Sequence, residues 1–257
     1  MITQTIDRPA TRRVVSRDEW LSERKALLTR EKDLTRLKDR IAHERRALPW
    51  VRLDKTYMFE TPEGRRSLAD LFDGRRQLMV QHFMLADGWE EGCPSCSFMA
   101  DHTDGMIVHL ANRDVTFVAV SRAPLGEIRR FRARMGWKFP WVSSNGTDFN
   151  RDFGVTFTPE EVAKGNLVYN YGPWPLSFEE WPGVSVFWKD DAGEVFHTYS
   201  TYGRGVEVMM GTYNLLDLTP KGRDEEGGKY TMDWVRHHDR YEPAPQAKAG
   251  ACCATRS

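Results

Sequence analysis

The stretch QLMVQHFMLADGWEEGCPSCSFMAD, residues 77–101, carries both the fold and the functional question. Its first nine residues form an apolar run, broken at Gln77, Gln81 and His82, that suits a central strand buried on both faces. A loop then leads to Cys93 and Cys96, three positions apart, where a helix is expected to begin. A CxxC at such a junction can be a redox pair, half of a metal site or two buried thiols.

Downstream of it, FMADHTDGMIVHLANR reads as one helix despite Gly105, and VTFVAVS as a second buried strand rich in β-branched residues. PLGEIRRFRARMG, residues 124–136, has Pro at a helix start and Leu125, Ile128, Phe131 and Met135 at helical spacing. Strand, helix, strand, helix is the βαβ signature and implies a mostly parallel sheet with helices on both faces. GVSVFWKDDAGEVFHTYS then offers two strand-like runs joined at Asp190-Asp191-Ala192-Gly193, an antiparallel hairpin that closes the sheet. A last helix is expected from about Val206 to Leu216. Two βα units, a hairpin and a helix, with CxxC where the first strand feeds the first helix, give the order of an α/β thioredoxin-like fold, a central mixed sheet flanked by helices.

Upstream, TYMFET reads as extended, PEG as a turn and SLADLF as a short helix. Before them, a flexible arm (1–15) precedes a helical extension (16–48) with Ser16 as N-cap, Glu19 completing a capping box and Pro49 as the stop. Trp20, Leu27, Leu34, Ile41 and Leu48 recur every seven residues, with Leu21, Leu28 and Leu37 beside them. The stripe is expected to pack on the protein's own core, because the d-like positions are largely charged; a second subunit, giving a homodimer, is the alternative. The thioredoxin-like domain is expected over 49–218 with an insertion at about 156–183, then a packed C-terminal extension (219–242) and a tail (243–257) of disordered composition.

The 37 basic and 37 acidic residues cancel, so no global field favours nucleic acid or an anionic membrane. MITQTIDRPATRRVVSRDEW lacks the apolar core of a signal peptide, and no run approaches the roughly 20 apolar residues of a spanning helix. A cytoplasmic location is expected, and in that reducing compartment a CxxC is catalytic or metal-binding rather than a structural disulfide. A thiol at a helix N-terminus meets unpaired N–H groups and the helix dipole, which favour its anion. Cys93 is therefore the expected nucleophile. Cys96, one turn on, is the expected resolving thiol, close enough to attack a mixed disulfide.

TYMFETPEGRRSLADLFDGRRQLMVQHFM, GCPSCSFMAD, FVAVSRAPL, MGWKFPWVSS, DFNRDFGV, VFHTYSTYGRG and GTYNLLDLTPKGRDE together resemble the thioredoxin-like family known as domain of unknown function 899, whose members are predicted dithiol-disulfide oxidoreductases. The resemblance runs from about residue 16 to 242 and implies that Cys93 and Cys96 are the redox pair. Thioredoxins place Trp directly before the first Cys, whereas here Glu90, Glu91 and Gly92 separate Trp89 from it. Two nearby carboxylates would favour the thiol over the thiolate. The segment from Tyr57 to Val120 is also similar to peroxiredoxins, yet LADGWEEGC lacks their upstream Pro and Thr in the expected spacing, so a thiol peroxidase is the second reading. A non-catalytic, partner-binding scaffold is the third. Pro182, in EWPGVSVFW, lies near the place of the cis-Pro that faces the thioredoxin CxxC.

No metal and no cofactor is expected; Cys252-Cys253 could complete a zinc site only poorly, since adjacent cysteines chelate one metal badly. The expected partner is a protein or small-molecule disulfide or thiol, with an electron donor the sequence does not identify. His82 reads as a core histidine bonded to a backbone carbonyl, His102 and His109 as sharing one helix face, and DWVRHHDRY as a packed terminal segment with one solvated His. Asp101 reads as part of a solvated helix face. In the insertion, VYNYGPWPLSFEEW sets Tyr169, Tyr171, Trp174, Phe178 and Trp181 among prolines. These aromatics either cover the sheet or wall a substrate groove over Cys93, with Trp89, Trp174 and Pro182 as candidate substrate contacts.

Overall fold

The computed structural model describes residues 13–165, 167–175 and 177–242. Most of the expected arm and all of the expected tail, including Cys252 and Cys253, lie outside these residues. Eight strands form one sheet, in spatial order β1 (Val51–Arg52), β10 (Val195–Tyr202), β9 (Gly183–Lys189), β4 (Gln77–His82), β5 (Val115–Ser121), β6 (Trp141–Ser143), β2 (Met58–Thr61) and β3 (Gly64–Ser67). Only β4 with β5 and β5 with β6 pair in parallel. The sheet is thus mixed, as expected: the βαβ part supplies the parallel β4-β5-β6 pairs, the β9-β10 hairpin joins antiparallel to β4, and the β2-β3 hairpin joins antiparallel beyond β6. Its turn falls where expected, with Gly193 N–H donating to Asp190 O at 3.1 Å.

β4 and β5 are central, and their alternation serves two cores. Leu78, Val80, Val118 and Val120 face one core with Phe59, Phe72, Phe149 and Phe187. Phe117 and Ala119 face the other, with Phe83, Cys96, Ala100, Ile128, Phe131 and Trp141. On that second face lie α2 (Pro94–Ala100), α3 (Ile107–Asn112) and α4 (Leu125–Arg134). The single helix expected over 98–113 is therefore two, joined by turns at 101–106 around Gly105. The helix expected from Val206 is likewise a 3-10 segment, Gly203–Met209, followed by a separate helix, Gly211–Leu216. Between them a Cβ on Gly211 would come within 2.9 Å of His102, so close packing against the turn after α2 governs this junction.

α1 (Arg17–Arg46) departs most from expectation. It stands apart from the core, with no buried residue, and leaves Trp20, Leu27, Leu34 and Ile41 exposed. The expected self-packing of this stripe is corrected. Ser16 accepts from Glu19 N–H at 3.2 Å, but the Glu19 carboxylate pairs with Arg13 rather than closing a capping box, and the helix ends at Arg46, before Pro49. No helix among the described residues is long and apolar enough to cross a membrane.

His82 ends β4 fully inside the first core, stacked on Phe153. Its Nε2 meets the Ser185 hydroxyl at 2.8 Å rather than the expected backbone carbonyl, and Ser185 Oγ contacts Ser200 Oγ, which contacts His197 Nε2. Burial, with His197 nearby, lowers the imidazole's pKa to about 3. Between that value and the unfolded value near 6.5, the unfolded chain binds a proton that the folded chain does not, so stability rises with pH across this window. We expect acidification from pH 7 to pH 5 to cost about 2 kcal/mol through His82. Urea denaturation at both pH values should show most of that loss absent in His82→Gln; an equal loss in variant and wild type refutes it.

Candidate active site

β4 delivers the chain to Met84, and the loop turns back so that Cys93 N–H donates to Met84 O at 3.0 Å. Gly92, just before, is buried, and a Cβ there would lie 2.5 Å from Phe83 and 2.7 Å from Phe131. Only glycine fits that approach. Cys93 is the N-cap of α2 and Pro94 its first residue, where a missing N–H leaves no partner unsatisfied. The start is reinforced as Ser97 N–H and Ser97 Oγ both donate to Cys93 O at 3.0 Å. Gln81, on the second face of β4, donates to Cys96 O at 3.3 Å.

The two thiols differ as the helix start dictates. Cys93 is half-buried, whereas Cys96 is buried. Cys96, and the polar groups of Cys96 and Ser95 in the first turn, favour the anion of Cys93. Together these outweigh burial and lower the Cys93 thiol to about 7. Cys96 moves the other way, held well above the ordinary thiol range by the bond it donates, by burial and by the charge on Cys93.

The carboxylates expected to oppose the thiolate are handled differently. Glu90 is exposed. Glu91 is enclosed by two cations, Arg134 Nη1 at 2.9 Å and Arg240, with His237 Nδ1 at 3.4 Å. Its charge is thus largely compensated. The C-terminal segment supplies this clamp. His237 is buried and donates from Nε2 to Gly92 O at 2.8 Å, and Asp239 pairs with Arg134 at 2.8 Å. His238 Nδ1 and Trp137 Nε1 donate to Asp101 at 2.7 and 2.8 Å, so this carboxylate is a packed tie rather than the solvated group expected. DWVRHHDRY does divide into a buried and an exposed histidine.

Over Cys93 opens a cavity of about 380 Å³. Met84, Met99, Met210 and Met232 line it with Trp174, Phe178, Trp181 and Pro182, and Cys93 and Cys96 lie at its wall. The structure therefore brings Trp174 and Pro182 to the cysteines. Trp89 instead lines an adjoining cavity of about 410 Å³ with Val162 and Glu180, and Phe178 borders both. The aromatic insertion splits in role. Tyr169, on β7 (Leu167–Tyr169), is buried and donates to Pro182 O at 2.6 Å, whereas Trp174, on β8 (Gly172–Trp174), is 41% exposed at the cavity. No peptide bond among the described residues is cis, so Pro182 is trans.

Three groups escaped the sequence reading. Glu180, 2% exposed, accepts from Arg122 Nε at 2.7 Å and Thr156 Oγ1 at 3.0 Å, and burial pushes its carboxyl upward. Its charge adds weakly to the rise of Cys96. Nothing in FEEW marks it. The methionines, from four separate segments, carry no joint signal; His237 lay in a flagged cluster, but its bond to Gly92 is visible only in three dimensions. His102 binds Phe98 O and Thr212, and among the described residues no three His, Cys, Asp or Glu side chains group to hold a metal.

These features define a thioredoxin-like protein with a CxxC pair at the head of the helix that follows its central strand. The chain belongs to the family described as bacterial proteins of unknown function, DUF899, whose model matches residues 9–241. No curated protein matches it. Among solved structures it is similar to peroxidoxin BcpB from Mycobacterium tuberculosis (15% identity, 62% of this chain and 91% of that one, TM-score 0.41). It is also similar to peroxiredoxin Q from Xanthomonas campestris (14%, 62% and 90%, 0.39) and to a protein described as thiol:disulfide interchange protein DsbE from Chlorobium tepidum (14%, 64% and 97%, 0.39).

Alkylation of Cys93 by iodoacetamide should rise with pH through a midpoint at about 7 and then level off. Cys96→Ala, which removes the donated S–H, should move that midpoint upward; an unmoved midpoint would contradict the assignment. Gly92→Ala should cost about 1–3 kcal/mol by overpacking Phe83 and Phe131. Thermal or urea unfolding measures it, and a neutral effect would mean that the rings yield.

Proposed function

We propose that this protein is a thiol-disulfide oxidoreductase in which Cys93 is the nucleophile and Cys96 the resolving thiol. One observation carries the reading: Cys93 caps a helix, half-buried at the wall of an apolar cavity, while Cys96, one turn on, is buried behind it. A structural role gives no reason for that inequality.

The cycle follows from the two environments. Thiolate Cys93 attacks one sulfur of a substrate disulfide, and the other leaves as a thiolate that takes a proton. In the mixed disulfide Cys93 no longer carries charge. Two of the effects that hold Cys96 protonated, the bond it donates to Cys93 and the Cys93 charge, therefore disappear. Cys96 then loses its proton more readily and attacks Cys93 Sγ. The second substrate sulfur leaves, two electrons have passed to the substrate, and a Cys93–Cys96 disulfide remains. Run backward, the same steps oxidise a dithiol. Trp174, Phe178 and Trp181 offer apolar surface to whatever flanks the substrate sulfurs, and four unbranched methionines let that surface adapt.

Reduced protein should turn over a disulfide substrate in a Cys93-dependent manner, and Cys96→Ala should accumulate a mixed disulfide through Cys93, read by mass spectrometry. Absence of thiol-dependent turnover with both a disulfide and hydrogen peroxide would sink the enzyme reading; turnover of peroxide alone would favour the peroxidase. Trp174→Ala should raise KM for the disulfide, about tenfold for a contact worth about 1.4 kcal/mol. Because the side chain is 41% exposed, little stability should be lost. A large stability loss with unchanged kinetics refutes the contact.

A further inference from the structure

The C-terminal segment makes its last described contacts beside the nucleophile. His237 holds Gly92 O, Asp239 holds Arg134 and Arg240 holds Glu91, which is two residues before Cys93. The same segment lines the cavity with Tyr230, Thr231 and Met232. From Arg240 the sequence runs on through EPAPQAKAGACCATRS, with Cys252 and Cys253 flanked by Gly250, Ala251 and Ala254. Twelve residues of chain reach at most about 40 Å, more than the span of two ion-paired side chains and the two residues from Glu91 to Cys93. Between Pro243 and Cys252 the long side chains are Gln246 and Lys248, both four or more positions from Cys252, and the small uncharged residues next to the cysteines suit the cavity's apolar wall.

We propose that this C-terminal Cys252-Cys253 segment is an intramolecular thiol partner of Cys93, entering the apolar groove and exchanging with the Cys93–Cys96 disulfide. The inference rests on the redox reading above. In the step, a tail thiolate attacks Cys93 Sγ, the Cys93–Cys96 bond breaks, and Cys96 leaves with the electron pair and takes up the proton released by the tail thiol. One disulfide is exchanged for another, so no outside oxidant or reductant is consumed. Consecutive Cα atoms are about 3.8 Å apart, below the roughly 4.4–6.8 Å that disulfides prefer, so the tail pair does not readily close on itself. The product is a tail–Cys93 disulfide with Cys96 and the second tail thiol free. Return attack by Cys96 restores the starting disulfide, and attack by an external thiol carries the exchange out of the groove.

The test equilibrates full-length wild type and Cys96→Ser in glutathione buffers of graded potential, quenches with acid and N-ethylmaleimide, and maps disulfide-linked peptides by mass spectrometry. The expected result is a Cys93 peptide joined to the Cys252-Cys253 peptide in Cys96→Ser, in a fraction independent of protein concentration, and a minor amount of it in wild type. Replacing both tail cysteines with Ser in the Cys96→Ser background should raise glutathionylated Cys93 about tenfold, because the tethered competitor is gone. If Cys96→Ser carries only glutathione on Cys93, or the link forms only between molecules as concentration rises, the tail proposal is overturned while the redox reading stands. If wild type forms no Cys93–Cys96 disulfide and Cys96→Ser no Cys93 adduct, the redox reading fails and the tail proposal with it. Wild-type mapping alone decides the question should Cys96→Ser not fold.

Discussion

The rings of Phe83 and Phe131 close on Gly92 and leave no space for a side chain, and its carbonyl is taken by His237 at 2.8 Å. Phe83 follows β4 directly and Phe131 lies on α4, so this contact ties the loop to the central strand and to the helix beside it. The next N–H, that of Cys93, goes back to Met84. With both ends of the short Gly92-Cys93 unit fixed, α2 has one place to begin, and Cys93 is set by packing rather than by the loop's own preferences. A bulkier residue at 92 would have to displace aromatic rings in a close-packed core, where strain is transmitted. The position of Cys93 over the cavity is thus a consequence of the second core.

From that position the inequality of the two thiols follows without any cation in contact with sulfur. Cys93 gains from groups every helix start leaves unpaired, the N–H donors of the first turn, and from a neighbour that donates only while it stays protonated. Each thiol's state therefore depends on the other. In the proposed cycle, forming the mixed disulfide removes the negative partner, which releases Cys96 at the step where it must act. Glu91 would work against this if it were bare, and the structure answers by surrounding it with Arg134, Arg240 and His237 instead of moving it away.

The order of elements was legible because β4 and β5 are buried on both faces and so read as unbroken apolar runs, and because Cys-Pro-Ser-Cys marks a helix start by its own chemistry. What the runs could not convey is direction. An apolar strand reads alike in parallel and antiparallel pairs, so the mixed sheet was legible only from the order of elements, βαβ units followed by a hairpin, while the antiparallel β2-β3 pair beyond β6 was not. The α1 stripe misled for a related reason: a period of seven reports that a face is apolar, not what covers it, and here it lies exposed. Gly105 and the Met210-Gly211 junction were read through, since helical spacing persists across a break when both halves pack on one layer. At the site, Cys93, Cys96, Trp174 and Pro182 came from local pattern. Glu180, His237 and the methionine wall did not, because each matters only through a partner far away in sequence, such as the 145 residues between His237 and Gly92.

That long-range dependence makes the C-terminal segment part of the site rather than an appendage. Glu225 gathers donors from Tyr213, Met232 and Trp234, and Trp234 packs edge-on against Phe98 of α2 at 5.7 Å, so the segment is held by the helix whose start it in turn secures. Release of residues 234–241 would remove the Gly92 tie, expose part of Phe131 and leave Glu91 with Arg134 alone. A less compensated carboxylate two residues from Cys93 favours the thiol over the thiolate. Docking of the segment and the acidity of Cys93 are therefore linked: whatever stabilises the thiolate also stabilises the docked segment, by the same free energy. A thioredoxin-like core alone would present the cysteines, but in this chain their reactivity is completed by residues more than 130 positions later.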